Sequence, residues 1–418
     1  MKTRLIHNVL QLRKRLWAKP LLYCFMAIAA SFFAHAADYG SLGYVLPEIE
    51  ADTIQTLLSI ISSSMLAVAT FAVGSMVASY ASASSSATPR AFALVLADDV
   101  SQTALSSFIG AFIFSIVSIV ALKTGFYGAG GRFVLFVLTL AIFAWVILTF
   151  VRWVDNIARL GRLGTTIDKA EAAALACLKE RRLMPFLGGV EKTCSTELTG
   201  TEVFCDEIGY IQYVDMGALQ AIAVEHDIRI MVDAMPGSFL APGRPIAILD
   251  TCDEVDEKIL RRISSAFVFG DNRTFDEDPR FGLIVLSEIA SRALSPAVND
   301  SGTAIVIIGR FVRLFAAWAA PVEDDEKIEE KYDRVIIPTL SLAEMFDDAF
   351  TAMARDGAGT VEVGIRLQKA FLSLSTLDYA GFRDEARRHS ALALERANGS
   401  LSLKDDFNRV ERIAKLLD

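Results

Sequence analysis

The stretch SSSMLAVATFAVGSMVASYASASSSATPR, Ser62 to Arg90, decides how the front of this chain is read. It is apolar enough to lie in a bilayer, yet Ser, Ala, Gly and Thr fill it where lipid-facing helices carry Leu, Ile and Phe. Ser63, Ala67, Thr70, Gly74, Ala78, Ala81 and Ser85 recur at steps of three and four, so at about 100° per residue they form one narrow stripe on a helix. Met65, Val68 and Met76 fall on the other side. From Thr56 to Ser85 the helix would measure about 45 Å, longer than a hydrocarbon core of about 30 Å, and Pro89 would end it. Two readings of the stripe stand open. Small residues four apart let helix backbones pack closely, and small hydroxyl-bearing side chains also suit the wall of a narrow hydrated path.

Around this helix the composition is that of a membrane protein. Of 418 residues 53% are hydrophobic, and the mean hydropathy is +0.40. The excess is concentrated in the first part of the chain, where four segments are long enough to span: 21–37, 54–80, 104–122 and 133–151. We expect residues 1–155 to form a transmembrane domain, 156–190 a connecting helix, 191–250 a small β-rich module and 251–418 a mainly helical domain. The fold class is therefore an α-helical membrane domain followed by a cytoplasmic α+β region, a small β module plus a helical bundle.

Charge sets the orientation. Lys2, Arg4, Arg13, Lys14, Arg15 and Lys19 precede the first span, and Arg152, Arg159 and Arg162 follow the fourth, whereas DYGSLGYVLPEIEAD between the first two is purely acidic. The positive-inside rule places both termini in the cytoplasm and the protein in a bacterial inner membrane. The basic start, apolar run and AHAA at Ala34–Ala37 also fit a cleavable signal peptide. An uncleaved anchor is the reading adopted, and either leaves the other spans oriented alike. No ionisable residue lies mid-span in spans two to four, which argues against a proton-coupled pump.

Beyond the spans, EIGYIQYVD and IRIMVDAM read as strands and MGALQAIAVEH as a helix between them. Pro236-Gly237 and Pro242-Gly243 mark turns around a further short strand. The PG…PG pair resembles lipoyl-type β modules, but the carrier lysine is absent, so the module reads as structural. Thr251 and Glu254 have capping-box spacing for a helix with Val255, Ile259, Ile263 and Phe267 on its apolar face, ending at Gly270. The densest polar cluster follows, GDNRTFDEDPRFG from Gly270 to Gly282. Asp278 is placed to cap the next helix, with Pro279 at its first position, and Asp300 to cap another through about Ala320. The residual candidate for a ligand or subunit-contact site is Asp271, Asn272, Arg273, Asp276 and Asn299. IVIIGRFVRLFAAWAA could pass for a fifth span, but Arg310 and Arg313 near its middle make it a buried or interface helix. Helices over 337–355, 362–375 and 379–397 complete the bundle.

GDNRTFDEDPRFGLIVLSEIASRALSPAVNDSGTA, the PGSFLAPG segment and the four-span front resemble a family of predicted bacterial inner-membrane proteins, domain of unknown function 2254. The resemblance covers nearly the whole chain and implies the membrane topology. It brings no activity and no catalytic residues. The family form often has NDP where this chain has Asn299-Asp300-Ser301.

Chemistry-bearing motifs are absent. Five scattered cysteines and four scattered histidines give no metal spacing, no nucleophile–base pair or phosphate loop is visible, and no cofactor is implied. A net charge of −9 argues against nucleic acid. An enzyme therefore ranks below two other readings. The first is a homo-oligomeric, channel-like pore lined by the second span, passing ions or small solutes. The alternative is a membrane-anchored sensor or scaffold whose cytoplasmic domain binds a ligand or protein partner.

Overall fold

A computed structural model describes residues 17–36, 38, 47, 49–91, 94, 98–157, 159, 162–193, 200–251, 255–322 and 331–417, and the side chains of 83–86 lie outside this description. The chain divides into two compact units, Leu5–Thr166 and, for the remainder of its length, Ile167–Asp418.

The first unit is built from α1 (Ala18–Ala36), α2 (Ala51–Ser86), α3 (Asp99–Lys123) and α4 (Ala129–Ile157). Each runs past most of the limits read from hydropathy, because a helix continues into polar flanks for as long as its backbone bonds close. A short 3₁₀ turn at Pro89–Ala91 follows α2. The centre of the unit is α3, packed on α1, α2 and α4. Its buried face is itself a small-residue seam of Ser106, Ser107, Gly110, Ala111, Ser115 and Ser118 with Phe108 and Phe114. A Cβ on Gly110 would come within 3.2 Å of Tyr23 Cβ, so glycine is what lets α1 approach. The buried hydroxyls are satisfied. Ser106 and Ser115 donate to the carbonyls of Gln102 and Ala111. Ser118 Oγ donates to Ser31 Oγ, and Tyr127 Oη donates to the Ser31 carbonyl. Asp38 accepts from the backbone N–H groups of Gly128 and Gly131 at 2.8 and 2.6 Å. It thereby places a carboxylate at the positive end of α4. The glycine-rich stretch Gly128–Gly131 that opens α4 thus cradles an anion.

The second unit takes up α5 (Leu163–Leu183) from Ile167 onward and contains two sheets. The larger has strands β1 (Gly189–Glu191), β2 (Thr201–Val203), β4 (Ile230–Val232), β6 (Ala247–Leu249) and β8 (Tyr332–Ile337) in the order β1-β8-β4-β6-β2. Strand β8 is parallel to both β1 and β4, while β4–β6 and β6–β2 are antiparallel. The smaller sheet is antiparallel, with β5 (Phe239–Leu240), β3 (Gly209–Val214) and β7 (Phe267–Gly270) in the order β5-β3-β7. Helices α6 (Met216–Glu225) and α7 (Glu257–Ser264) complete this half. Ile211, Val214, Leu219, Ile230, Val232, Leu249, Ile263 and Val335 share its core.

Several expectations are corrected here. The strands are not confined to 191–250, since β1 begins before it at Gly189 and β7 and β8 lie beyond it, and the parallel pairing is unlike an all-antiparallel lipoyl-type module. The helix expected from Thr251 is capped by Asp256, which accepts from Lys258 N, and it stops at Ser264. Glu254 lies outside the described residues. Phe267 therefore belongs to strand β7 and not to a helical face. Ile337, expected to open a helix, ends strand β8 instead, and the helix begins at Leu342. Asp300 does cap the helix that follows, accepting from Thr303 N.

The remaining helices are α8 (Phe281–Ala293), α9 (Ser301–Ala319), α10 (Leu342–Asp356), α11 (Val361–Ser375), α12 (Phe382–Ser400) and α13 (Lys404–Ala414). They surround an aromatic core of Phe311, Phe315, Phe346, Phe350, Phe371 and Phe382. His389 lies among three of these rings, and burial holds its imidazole down at about 4.

Among the described residues, five helices are long and apolar enough to cross a membrane: α1 to α4 and α9. In α9 the apolar face packs on α8 and α11. Its two arginines are neutralised from α5, Arg310 by Asp168 and Glu171 at 2.6 Å each and Arg313 by Glu171 at 2.7 Å.

Candidate functional site

The first candidate is the outer face of α2. Ile54, Leu58, Ile61, Met65, Ala69, Ala72, Met76 and Tyr80 are buried, and α2 packs on α3 and α4. That leaves the opposite side free. Ser63, Ala67, Thr70, Gly74, Ala78 and Ala81 are all exposed, while the Ser85 side chain is outside the description. A Cβ on Gly74 would meet nothing within 4 Å. Among the described residues the stripe is therefore no packing seam within the protomer; that part is played by α3, whose Ser- and Gly-bearing face sequence periodicity did not single out. The hydroxyls of the stripe turn back on their own helix, Ser63 Oγ donating to Ser59 O and Thr70 Oγ1 to Leu66 O. The face can accordingly meet lipid, another helix or water without leaving a polar group unpaired.

The second candidate is the polar cluster after β7. Asp271 and Asn272 are exposed, and the Asn272 carbonyl accepts from Gln212 Nε2 at 2.7 Å. The Asp276 carbonyl accepts a weak bond from Cys177 Sγ at 3.8 Å. Asn299 occupies a left-handed turn (φ 52°) just before α9, and its side chain makes no hydrogen bond to the 271–276 segment among the described residues.

Arg273 turns inward. Its guanidinium grips Asp278 with both arms, Nε to Oδ2 at 2.6 Å and Nη2 to Oδ1 at 2.9 Å, while stacking over the Phe281 ring at 5.8 Å. Asp278 is 3% exposed. It was expected to cap α8, but that helix begins at Phe281, and the residue before it, Arg280, makes no side-chain cap bond. A carboxylate held by a bidentate arginine has its lone pairs committed, and its one backbone bond goes to Arg280 N. The turn Pro236-Gly237 lies against this pair. Gly237 has φ +92°, and a Cβ there would collide with the Asp278 carboxylate and sit 2.8 Å from Arg273 Nη2. The glycine thus answers both to backbone conformation and to the closeness of the ion pair.

Two cavities flank this region, with Arg181 of α5 on the wall of both. One, of about 180 Å³, is lined by Cys177, Arg181, Tyr213, Met216, Glu277 and Tyr332 among others. The other, of about 490 Å³, lies between the Pro236–Ser238 turn, Arg244, the Arg273–Arg280 loop and the start of α10. Arg280 bridges to α10, to Asp348 at 2.6 Å and to Glu344. Arg181 is 5% exposed and donates to the Glu277 carbonyl at 3.0 Å. Burial pushes the Cys177 thiol up to about 12, which leaves it an inert packing group. No group of His, Cys, Asp and Glu among the described residues could hold a metal ion.

Glu277 is the unusual acid. Its Oε2 is buried with no hydrogen-bond partner among the described residues, and burial raises its carboxyl to about 7, against the opposing pull of Arg181. Below pH 4.5 folded and unfolded chains both hold this proton. Between 4.5 and about 7 the unfolded chain has lost it and the folded chain keeps it, so stability falls as pH rises through that window and is flat above it. The gap corresponds to roughly 3 kcal/mol at most. We expect Glu277→Gln to remove this falling limb and to be the more stable protein at pH 8. Thermal unfolding midpoints from pH 4 to 8 test this. A wild-type profile unchanged by the substitution would contradict it.

Neither Arg181 nor Glu277 was picked out from sequence. Arg181 sits in an ordinary charged run, KERR, and Glu277 among other acids, so only their burial sets them apart.

The family pattern described as predicted membrane protein (DUF2254) matches residues 13–373. The chain belongs to the DUF2254 family. Among curated proteins it is similar to the uncharacterized protein Rv1290c of Mycobacterium tuberculosis and to Mb1321c of Mycobacterium bovis. Each is 28% identical over 130 residues, which is 28% of this chain and 24% of the relative. The match thus spans about a quarter of those relatives' length. No solved structure matches the chain. This DUF2254 member is a membrane protein with several apolar helices in contact with lipid. Membership adds no catalytic or binding residues to those described above.

Proposed function

We propose that this DUF2254 protein is an inner-membrane homo-oligomer in which the small-residue faces of α2 meet around an axis and line a channel-like path. Four helices, α1 to α4, span the bilayer, and both termini with the second unit lie in the cytoplasm. The observation that carries the reading is the sidedness of α2: Leu58, Met65, Met76 and Tyr80 are buried against its neighbours, and the stripe from Ser63 to Ala81, flanked by the exposed Ile60, Leu66, Phe71, Val73 and Val77, is left without a neighbour among the described residues of the protomer. A face meant for acyl chains alone gains nothing from small residues, whereas a helix-lined path needs their space. In support of four spans, α9 has its arginines paired with acids of α5 and its apolar face covered, so it has no need of lipid. The basic flanks before α1 and after α4 support the orientation.

The test is substitution at positions where the protomer has room. Gly74→Leu and Ala78→Leu should leave the fold intact, since a Cβ on Gly74 touches nothing. We expect unmodified protein to elute as an oligomer on size-exclusion chromatography and to pass ions in liposomes, and both variants to keep the oligomer and lose flux. Oligomers that fall apart in the variants would make the face a packing seam between copies. A monomeric elution, or no flux under varied voltage and membrane tension, would overturn the proposal.

A further inference from the structure

We infer that the cavity of about 490 Å³ in the second unit is a binding site for a phosphate group, free or carried on a small molecule, held between Arg181 and Arg244. The inference stands apart from the role of α2. Four arginines border the cavity: Arg181, Arg244, Arg273 and Arg280. Two of them are already committed, Arg273 to Asp278 and Arg280 to Asp348 and Glu344.

The other two are not. Arg181 is 5% exposed, and its hydrogen bond among the described residues goes to a neutral carbonyl, that of Glu277. A guanidinium has five donors, and a buried cation without a hydrogen-bonded counter-charge is costly. Nearby carboxylates act on it only at a distance, and burial holds its proton affinity below the ordinary value. The Arg244 side chain has no hydrogen bond or ion pair among the described residues, its backbone N–H donating to the Ala241 carbonyl at 3.2 Å. It follows Gly243, whose φ of +84° sets the tight turn that presents it. The acid on the wall that holds no arginine is Asp233, so the free charges sum to a net positive.

The remaining wall suits the same ligand. The start of α10 borders the cavity through Leu340, Ser341 and Glu344, bringing the positive end of a 15-residue helix to the site. Two guanidiniums with that helix end match the several oxygens of a phosphate better than the two of a carboxylate. The volume leaves room for the body of a small molecule beside the phosphate.

Isothermal titration of the detergent-solubilised full chain with sodium phosphate, at fixed ionic strength in chloride, tests the site. We expect saturable binding, weakened about tenfold or more by Arg244→Ala, the loss of a charge-assisted contact, and abolished by Arg181→Met. Arg244 is exposed, so its variant should fold even if the Arg181 variant does not. Adenosine monophosphate that competes with phosphate and binds more tightly would assign the site to phosphate esters. Phosphate binding that the nucleotide does not outdo would assign it to the free ion. Failure to saturate by about 10 mM phosphate, or an Arg244→Ala protein with unchanged affinity, would overturn the inference.

Discussion

Arg273→Ala should destabilise the second unit by about 3–5 kcal/mol, the cost of leaving a buried carboxylate without its partner. Asp278 is 3% exposed and accepts both arms of Arg273; with the guanidinium gone, it keeps only its backbone bond from Arg280, whose own guanidinium is held by α10. Asp278→Ala should cost less, since the arginine it frees is 17% exposed and can reach water. The double variant should lose less than the sum of the two. Chemical unfolding followed by near-ultraviolet circular dichroism measures all three. A loss of only about 1 kcal/mol in each single variant, the size of a missing helix cap, would mean that the pair contributes no more than the capping role read from sequence.

Phe350→Ala should cost a comparable amount, about 3–5 kcal/mol, through a cavity in a core that cannot collapse. The Phe350 ring contacts Phe311 and Phe315 of α9, Phe346 of its own helix and Phe371 of α11, at centroid distances of 5.0–5.7 Å. Since the ring joins three helices, the damage should spread. Hydrogen exchange should quicken in α9 and α11 as well as α10, while Phe350→Leu, which keeps most of the volume, should cost far less. Faster exchange confined to α10 would show that these helices do not form one cooperative core.

The sequence by itself determined what depends on runs and periods. Apolar length marked α1 to α4, because a bilayer imposes a minimum helix length. The period of α2 separated Met65 and Met76 from Gly74 and Ala78, and the structure buries the first pair and exposes the second. Local chemistry was equally legible: Asp300 caps its helix, and Pro236-Gly237 and Pro242-Gly243 make turns, since each needs only its near neighbours. What the tertiary structure alone decided involves partners far along the chain. Strand β8, YDRVII, carries Asp333 and Arg334 near its start beside a long charge run, and only pairing with β1 and β4 makes it a strand. The hydroxyls of α3 read as ordinary membrane serines until α1 closes over them. Asp278 looked like a cap because it precedes a proline and a helix. Its commitment to Arg273 follows from burial beneath Gly237, which no spacing encodes. Arg181 and Glu277 are distinguished from dozens of other charges solely by being out of water, and the free energy of a charge depends on its surroundings more than on its sequence.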